Sequence, residues 1–408
     1  VIRVCTDENG LSVKGAIKGG NKMGAERIAV LQRELGKRDA CAILSYSRNI
    51  LYYTSTAQPA YLLVSPDEFH LFIKSGLEFA LGEVSIGREK MSEERQLGKI
   101  RKLYPGIEKF KSVGIELDIL TAEQYISFKE LFPQNDIFNV SPLVLEQRKT
   151  KDDTEIEKLR KACRAIHNGH EAVLAGLKEG MTELDLAALV ENAHRQAGHE
   201  GIFFIRQPDF FMSRGPISSG ANLFRNSGVV YTITGIGLSP AVPAGPSRKK
   251  IMRGEPVMID IPVLVDGYHA DQTRTYFIGE AGGKFESMYR DLKDIADHII
   301  ENMRQGIKGR EIYRMALDRA KELGRENHFQ SFGDKRSRLV GHGIGLELNE
   351  PPVPSEYDDS PVNENYVICL DLHMMDRDTG VVKLEDMIWV KQDRNEILTI
   401  SPREIALV

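Results

Sequence analysis

VMIDIPVLVDGYHADQTRTYFI, residues 257–278, is the stretch whose reading decides the fold of this chain. Two runs of aliphatic and β-branched residues flank Asp266-Gly267, a dipeptide that suits a tight hairpin turn, and each run carries one acid, Asp260 and Asp271. Alternation along the second run places His269, Asp271 and Thr273 on one face of a strand. A carboxylate buried there without a partner is too costly to persist. The pair must therefore meet cations or hydrogen-bond donors, as a salt-bridged strand pair or as a functional site.

Working outward, a weak internal repeat surrounds this hairpin. GMTELDLAALVENAHRQAG spans Gly180 to Gly198 and GIKGREIYRMALDRAKELG spans Gly306 to Gly324. The glycines are equally spaced, and Leu186, Leu189 and Val190 correspond to Ile312, Met315 and Ala316. An amphipathic helix precedes each copy; the second is marked by Phe285, Met288, Leu292, Ile295, Ile299 and Met303. Strands follow each copy. After the second come YVICLDLHMM, residues 366–375, and VVKLEDMIWV, residues 381–390, another hairpin with an acid in each arm, Asp371 and Glu385. Two helix-helix-hairpin halves thus present two carboxylates each.

The chain has 408 residues, enough for two cores. Lys plus Arg total 54 against 59 Asp plus Glu, a formal charge of -5, and the sole basic cluster is Arg248-Lys249-Lys250, so nucleic acid is excluded as an expected partner. Cys5, Cys41, Cys163 and Cys369 show no CxxC spacing, which fits reduced thiols in a core. No apolar run reaches the roughly 20 residues of a membrane span, and VIRVCTDENG lacks the features of a signal peptide. A cytoplasmic protein without membrane association is expected.

The first part, residues 1–147, reads as an α/β domain. Ile28, Leu31 and Leu35 mark a helix over 23–38, CAILSY, NILYYTS, AYLLVS, HLFIKS and SVGIEL read as strands, and Glu89 to Leu103 reads as a charged helix. This domain has no metal-ligand cluster or nucleophile motif and reads as a covering or dimerisation domain. QRKTKDD, residues 147–153, is the expected linker into a second domain, 148–408, which opens with a long helix started by a Thr154–Glu157 capping box. Ile156, Leu159, Ala162, Cys163, Ile166, His170, Val173, Leu174 and Leu177 follow its apolar face, with His170 read as a core histidine.

Between the two hairpin sequences stands GHGIGLELNEPP, residues 341–352, in which glycines on both sides of His342 leave its imidazole unobstructed. Four carboxylates and one imidazole converging on one place suit one or two divalent ions of Mn, Co, Zn or Fe.

These motifs resemble the creatinase, prolidase, aminopeptidase P and methionine aminopeptidase family. Its pattern of a strand aspartate, GY, an acid and TRT matches Asp260, Gly267-Tyr268, Asp271 and Thr273-Arg274-Thr275, and GHGIG carries His342. RIAVLQRELGKRDACAILSYSRNILYYTS is similar to the helix, strand and turn of the smaller creatinase-type domain. The resemblance implies an α/β (α+β) chain: a creatinase-like N-terminal α/β domain, then a pita-bread catalytic domain with a pseudo-two-fold repeat. It implies metal ligands Asp260, Asp271, His342, Asp371 and Glu385, Glu385 as proton acceptor, and a homodimer. Arg274, His269 and Asn349 are the expected substrate contacts.

Three departures stand out. Ala244, in AVPAG, occupies the place of the family's proton-handling histidine, Asn349, in LELNEPP, replaces a second one, and Asp371 replaces a glutamate and is followed by Leu372-His373 instead of Pro-Gly. His373, two residues past Asp371, shares its face and is read either as a replacement ligand or base, or as a strand histidine bonded to nearby backbone. The leading expectation is a metal-dependent C–N hydrolase like Xaa-Pro dipeptidase or aminopeptidase P. The alternatives are a creatinase-like hydrolase or lyase of a small nitrogen compound and a catalytically silent binding member of the fold.

Overall fold

The computed structural model describes residues 20–207, 214–227, 232–333 and 335–408, so Cys5 lies outside the described part. The chain divides into two compact units between Val144 and Leu145.

In the first unit a six-stranded mixed sheet runs Met91–Glu93, Phe69–Ile73, Ala60–Val64, Ala40–Leu44, Ser112–Ile115 and Asp136–Asn139 in spatial order. The run NILYYTS, expected as a strand, is instead the helix Ser47–Thr54. Glu116 explains the difference: its carboxylate accepts from the backbone N–H groups of Ser45 and Tyr46 and from the side-chain amide of Asn49, at 2.7, 2.8 and 2.7 Å. A negative charge at a helix start satisfies donors that have no partner within the helix. The expected helix over 89–103 is likewise corrected to a short strand, Met91–Glu93, and a helix confined to Leu97–Leu103.

The second unit opens with the helix Asp153–Gly176. Its capping box is Asp152 with Glu155, two residues before the expected Thr154–Glu157 pair, because an aspartate side chain caps N–H groups as well as threonine does. Its apolar face is buried as expected except at Leu174, which is exposed. His170 is a core residue whose Nδ1 lies 2.8 Å from the Tyr276 hydroxyl.

The repeat is visible in the backbone. The second helices of the two halves are Glu183–Gln196 and Gly309–Glu322, both of 14 residues. Each is bracketed by glycines with positive φ, 86° and 101° at Gly180 and Gly198, 88° and 68° at Gly306 and Gly324. Side chains with a Cβ resist that conformation, which is why the equal glycine spacing survives in the sequence. Leu186, Val190, Ile312 and Ala316 are buried in two separate apolar cores, one for each half.

Both halves deliver strands to one curled eight-stranded sheet, whose main path runs Gly341–Gly343, Val367–Asp376, Gly380–Trp389, Thr273–Phe277, Pro256–Asp260, Ile217–Ser219. All neighbours along this path are antiparallel. The hairpin of residues 257–278 is present but interrupted. Its outer arms pair Asp260 with Thr273, while Val263–Val265 and Tyr268–Ala270 form a separate two-stranded tip. Asp266 and Gly267 turn that tip with φ of 51° and 76°, the left-handed pair a two-residue turn requires.

Candidate metal centre

The sheet register brings the acids together. Asp260 is opposite Thr273, Thr273 is opposite Glu385, and Glu385 is opposite Asp371, so one row crosses four adjacent strands drawn from both halves. His342 enters from the next strand, opposite Cys369, two residues before Asp371 and on the same strand face. Asp271 lies in the break between the hairpin tip and the arm. That break lets it join the row although it is not in a strand.

Two overlapping groups of donors result: Asp260, Asp271 and Glu385, and His342, Cys369 and Glu385, each with ligand atoms within 4.8 Å of one another. His342 Nδ1 lies 3.0 Å from the Gly343 carbonyl, and donation there leaves Nε2 bare. Nε2 stands 3.6 Å from Glu385 Oε1 and 3.9 Å from Asp271 Oδ2. Those separations are too long for hydrogen bonds and close to the ~3.5 Å between two ligands around one ion. Glu385 Oε1 is buried and has no hydrogen-bond partner among the described residues. The donor set fits a divalent cation at this point.

Lys383 is a member of the site that the sequence reading missed. Its buried ammonium lies 2.5 Å from Asp260 Oδ2, 3.1 Å from Asp371 Oδ1 and 3.3 Å from Glu385 Oε2. A signal was available, because Lys383 is two residues before Glu385 in an alternating strand and so shares its face. Thr273 was also undervalued; its hydroxyl donates to Glu385 Oε2 at 2.9 Å.

The electrostatics follow from crowding. Burial, together with the other acids, raises Asp271 well above the usual carboxylate range. Burial also raises Asp260 to about 7 and Asp371 to about 6, with Lys383 pulling against it in both. At Glu385 burial is outweighed by Lys383 and His342, and the carboxyl falls to about 2. At His342 burial works downward but Glu385 overcomes it, so the imidazole is raised.

Asp260, Asp271, His342, Asp371 and Glu385 are thus brought together. Four other expected site residues are not. His373 lies on the expected face, opposite Lys383, but its Nε2 lies 3.1 Å from the Ser331 carbonyl and its ring packs 4.4 Å from that of Phe332. Burial, reinforced by Lys383, lowers it to about 3, so it is a neutral strand histidine bonded to backbone, and its expected role as ligand or base is corrected. His269 accepts from the Phe204 N–H at 3.0 Å and contacts the Gly345 carbonyl at 2.9 Å, tying the hairpin tip to the GHGIG segment. Arg274 spends all five N–H groups on the carbonyls of Thr273, Glu385, Ser401 and Pro402 and on Asp386. These bonds make it a framework residue rather than a substrate contact. Asn349 is exposed and Ala244 is buried.

No helix among the described residues is long and apolar enough to cross a membrane. Residues 157–392 match the model of metallopeptidase family M24, and residues 27–150 match the creatinase/prolidase N-terminal domain. A curated Xaa-Pro dipeptidase of Pyrococcus horikoshii is 27% identical over 93% of this chain and 98% of its own length. Among solved structures, the prolidase of the same organism superposes with a TM-score of 0.75 at 25% identity, covering 93% of this chain and 99% of that one. An Xaa-Pro dipeptidase from Bacillus anthracis shares the fold with a TM-score of 0.79 at 23% identity, covering 94% and 100%.

Proposed function

Because the chain belongs to metallopeptidase family M24 and carries its creatinase/prolidase N-terminal domain, we propose that it is a divalent-metal-dependent C–N hydrolase acting on short Xaa-Pro peptides. The observation that carries this reading is the convergence of Asp260, Asp271, Asp371, Glu385 and His342, from both halves of the second unit, on one buried cage. Oxygen donors with one imidazole suit Mn, Co, Zn or Fe. Asp260, Asp271, His342, Asp371 and Glu385 are the residues that would hold one or two such ions. A divalent cation there polarises an amide carbonyl and lowers the pKa of water toward neutrality.

The chain's own groups do the rest. Glu385 is held at Oε2 by Thr273 and Lys383, leaving Oε1 to meet either the cation or the attacking water, whose proton it would accept. Asn349, exposed beside the motif, would orient a substrate carbonyl by hydrogen bonding. A small nitrogen compound in place of a peptide is the second reading. What favours it is Ala244, buried where the family carries a proton-handling histidine. The family resemblance also supports a homodimer, which sedimentation of the purified protein tests.

The deciding experiment is metal analysis of the purified protein together with turnover of Xaa-Pro dipeptides and Xaa-Pro-Xaa peptides in added Mn, Co or Zn. Cleavage that is lost on chelation and restored by metal supports the hydrolase. Bound metal without peptide cleavage moves the assignment to the small-molecule reading, and a protein that takes up no metal overturns it.

A further inference from the structure

Beside the row of acids, on the same sheet face, the cage carries a sulfur. His342 is opposite Cys369, and Cys369 is opposite Met387 on the strand beyond. Cys369 precedes Asp371 by two residues, so its side chain shares the face of the cage. It is fully buried, as cysteines commonly are, but its surroundings are not those of an ordinary core thiol. Its Sγ belongs, with His342 and Glu385, to a group whose ligand atoms all lie within 4.8 Å of one another. Asp371, the next side chain on that face, belongs to neither compact group, and its Oδ1 lies 3.1 Å from the Lys383 ammonium. Cys163 is also outside both groups, with its thiol directed at Met387 Sδ, 3.6 Å away.

The two donor groups differ in kind. Asp260, Asp271 and Glu385 offer only carboxylate oxygen, whereas His342, Cys369 and Glu385 offer nitrogen, sulfur and oxygen. Thiolate and imidazole donors favour Zn(II) and similar ions over Mn(II), and three protein ligands of this kind leave a fourth position for water, the pattern of catalytic zinc.

We infer that Cys369 is a metal ligand, and that the position it shares with His342 and Glu385 takes a thiophilic divalent ion such as Zn(II) or Co(II). The inference rests on the metal-site reading above and adds a sulfur donor that the family resemblance does not supply. A coordinating thiol gives up its proton, so Cys369 enters the set as a thiolate.

The test uses Co(II) as the probe. The full-length protein, chelated and reloaded with Co(II), is expected to show the intense near-ultraviolet charge-transfer absorption of a thiolate bound to cobalt. Cys369→Ser, which keeps the size of the side chain, should bind Co(II) without that band and lose more affinity for Zn(II) than for Mn(II). A variant carrying Cys5→Ala, Cys41→Ala and Cys163→Ala, in which Cys369 is the one remaining thiol, should keep the band. X-ray absorption of the Zn(II)-loaded protein should find one sulfur at about 2.3 Å from the ion. Bound cobalt without the band, or a band that persists in Cys369→Ser, overturns the inference and leaves the hydrolase reading standing. A protein that takes up no metal overturns both. If Cys369→Ser does not fold, the three-alanine variant and the sulfur count decide, and the absence of band and sulfur overturns the inference.

Discussion

Lys383 and Asp260 are 123 positions apart in the chain, yet the ammonium and carboxylate meet at 2.5 Å in the interior. Removing one partner of a buried pair leaves an uncompensated charge and typically costs about 3–5 kcal/mol. Lys383→Met is therefore expected to lower the unfolding free energy of the metal-free protein, read from its urea titration, by that order. Added divalent ion should restore part of the loss by supplying the missing positive charge. Equal midpoints for the two metal-free proteins would show that the pair contributes nothing net.

Glu385 is the group placed to move protons. Glu385→Gln keeps the size of the side chain but removes its basicity, and turnover is expected to fall by about a hundredfold or more at unchanged fold. Thr273→Val removes only the hydroxyl that fixes Oε2, and a loss of roughly tenfold in kcat with little change in KM is expected for a positioning residue. Steady-state kinetics on whichever substrate proves active separates the two.

Arg274 binds four carbonyls and Asp386. Arg274→Lys cannot reproduce that five-donor fork. It is expected to cost about 3 kcal/mol or more in stability while leaving KM unchanged below the unfolding temperature. A raised KM with native stability would return Arg274 to substrate contact.

The glycines closing the two repeated helices, Gly198 and Gly324, have positive φ, and a Cβ on either meets nothing within 4 Å. Alanine there is penalised by backbone conformation alone, about 1 kcal/mol at each site. Thermal unfolding of Gly198→Ala and Gly324→Ala should show similar and additive losses, since the sites belong to different halves.

His170 is buried against Tyr276, and burial lowers its pKa to about 4. In the unfolded chain it titrates near 6.5, so between those values the unfolded state binds more protons and stability falls as the pH drops. His170→Gln retains a hydrogen-bonding group for the tyrosine but does not titrate. Its unfolding free energy should decline less between pH 6.5 and 4 than that of the unaltered protein, by about 1–3 kcal/mol.

Much of the candidate site is legible from short-range patterns. Asp260 and Glu385 lie in alternating strands, and His342 stands between glycines. The helix at Ser47–Thr54 was misread because a short apolar run has no period long enough to distinguish helix from strand. The partner that decides it, Glu116, is 71 positions from Ser45. Lys383 was passed over because charged side chains are ordinarily exposed. Its burial depends on acids contributed by other strands.

The amino-acid sequence by itself determined the two helix-helix-hairpin halves and the acids they carry, because alternation, glycine spacing and turn chemistry act over a few residues. Only the tertiary structure decided which of those groups share one space. The sheet register set Asp260, Thr273, Glu385 and Asp371 in one row, turned His373 and Arg274 toward backbone carbonyls, and brought Lys383 into the cage. The contacts of Lys383 with Asp260 and of Arg274 with Glu385 join residues more than a hundred positions apart, and their energy depends on burial that exists only once both halves have closed on one sheet.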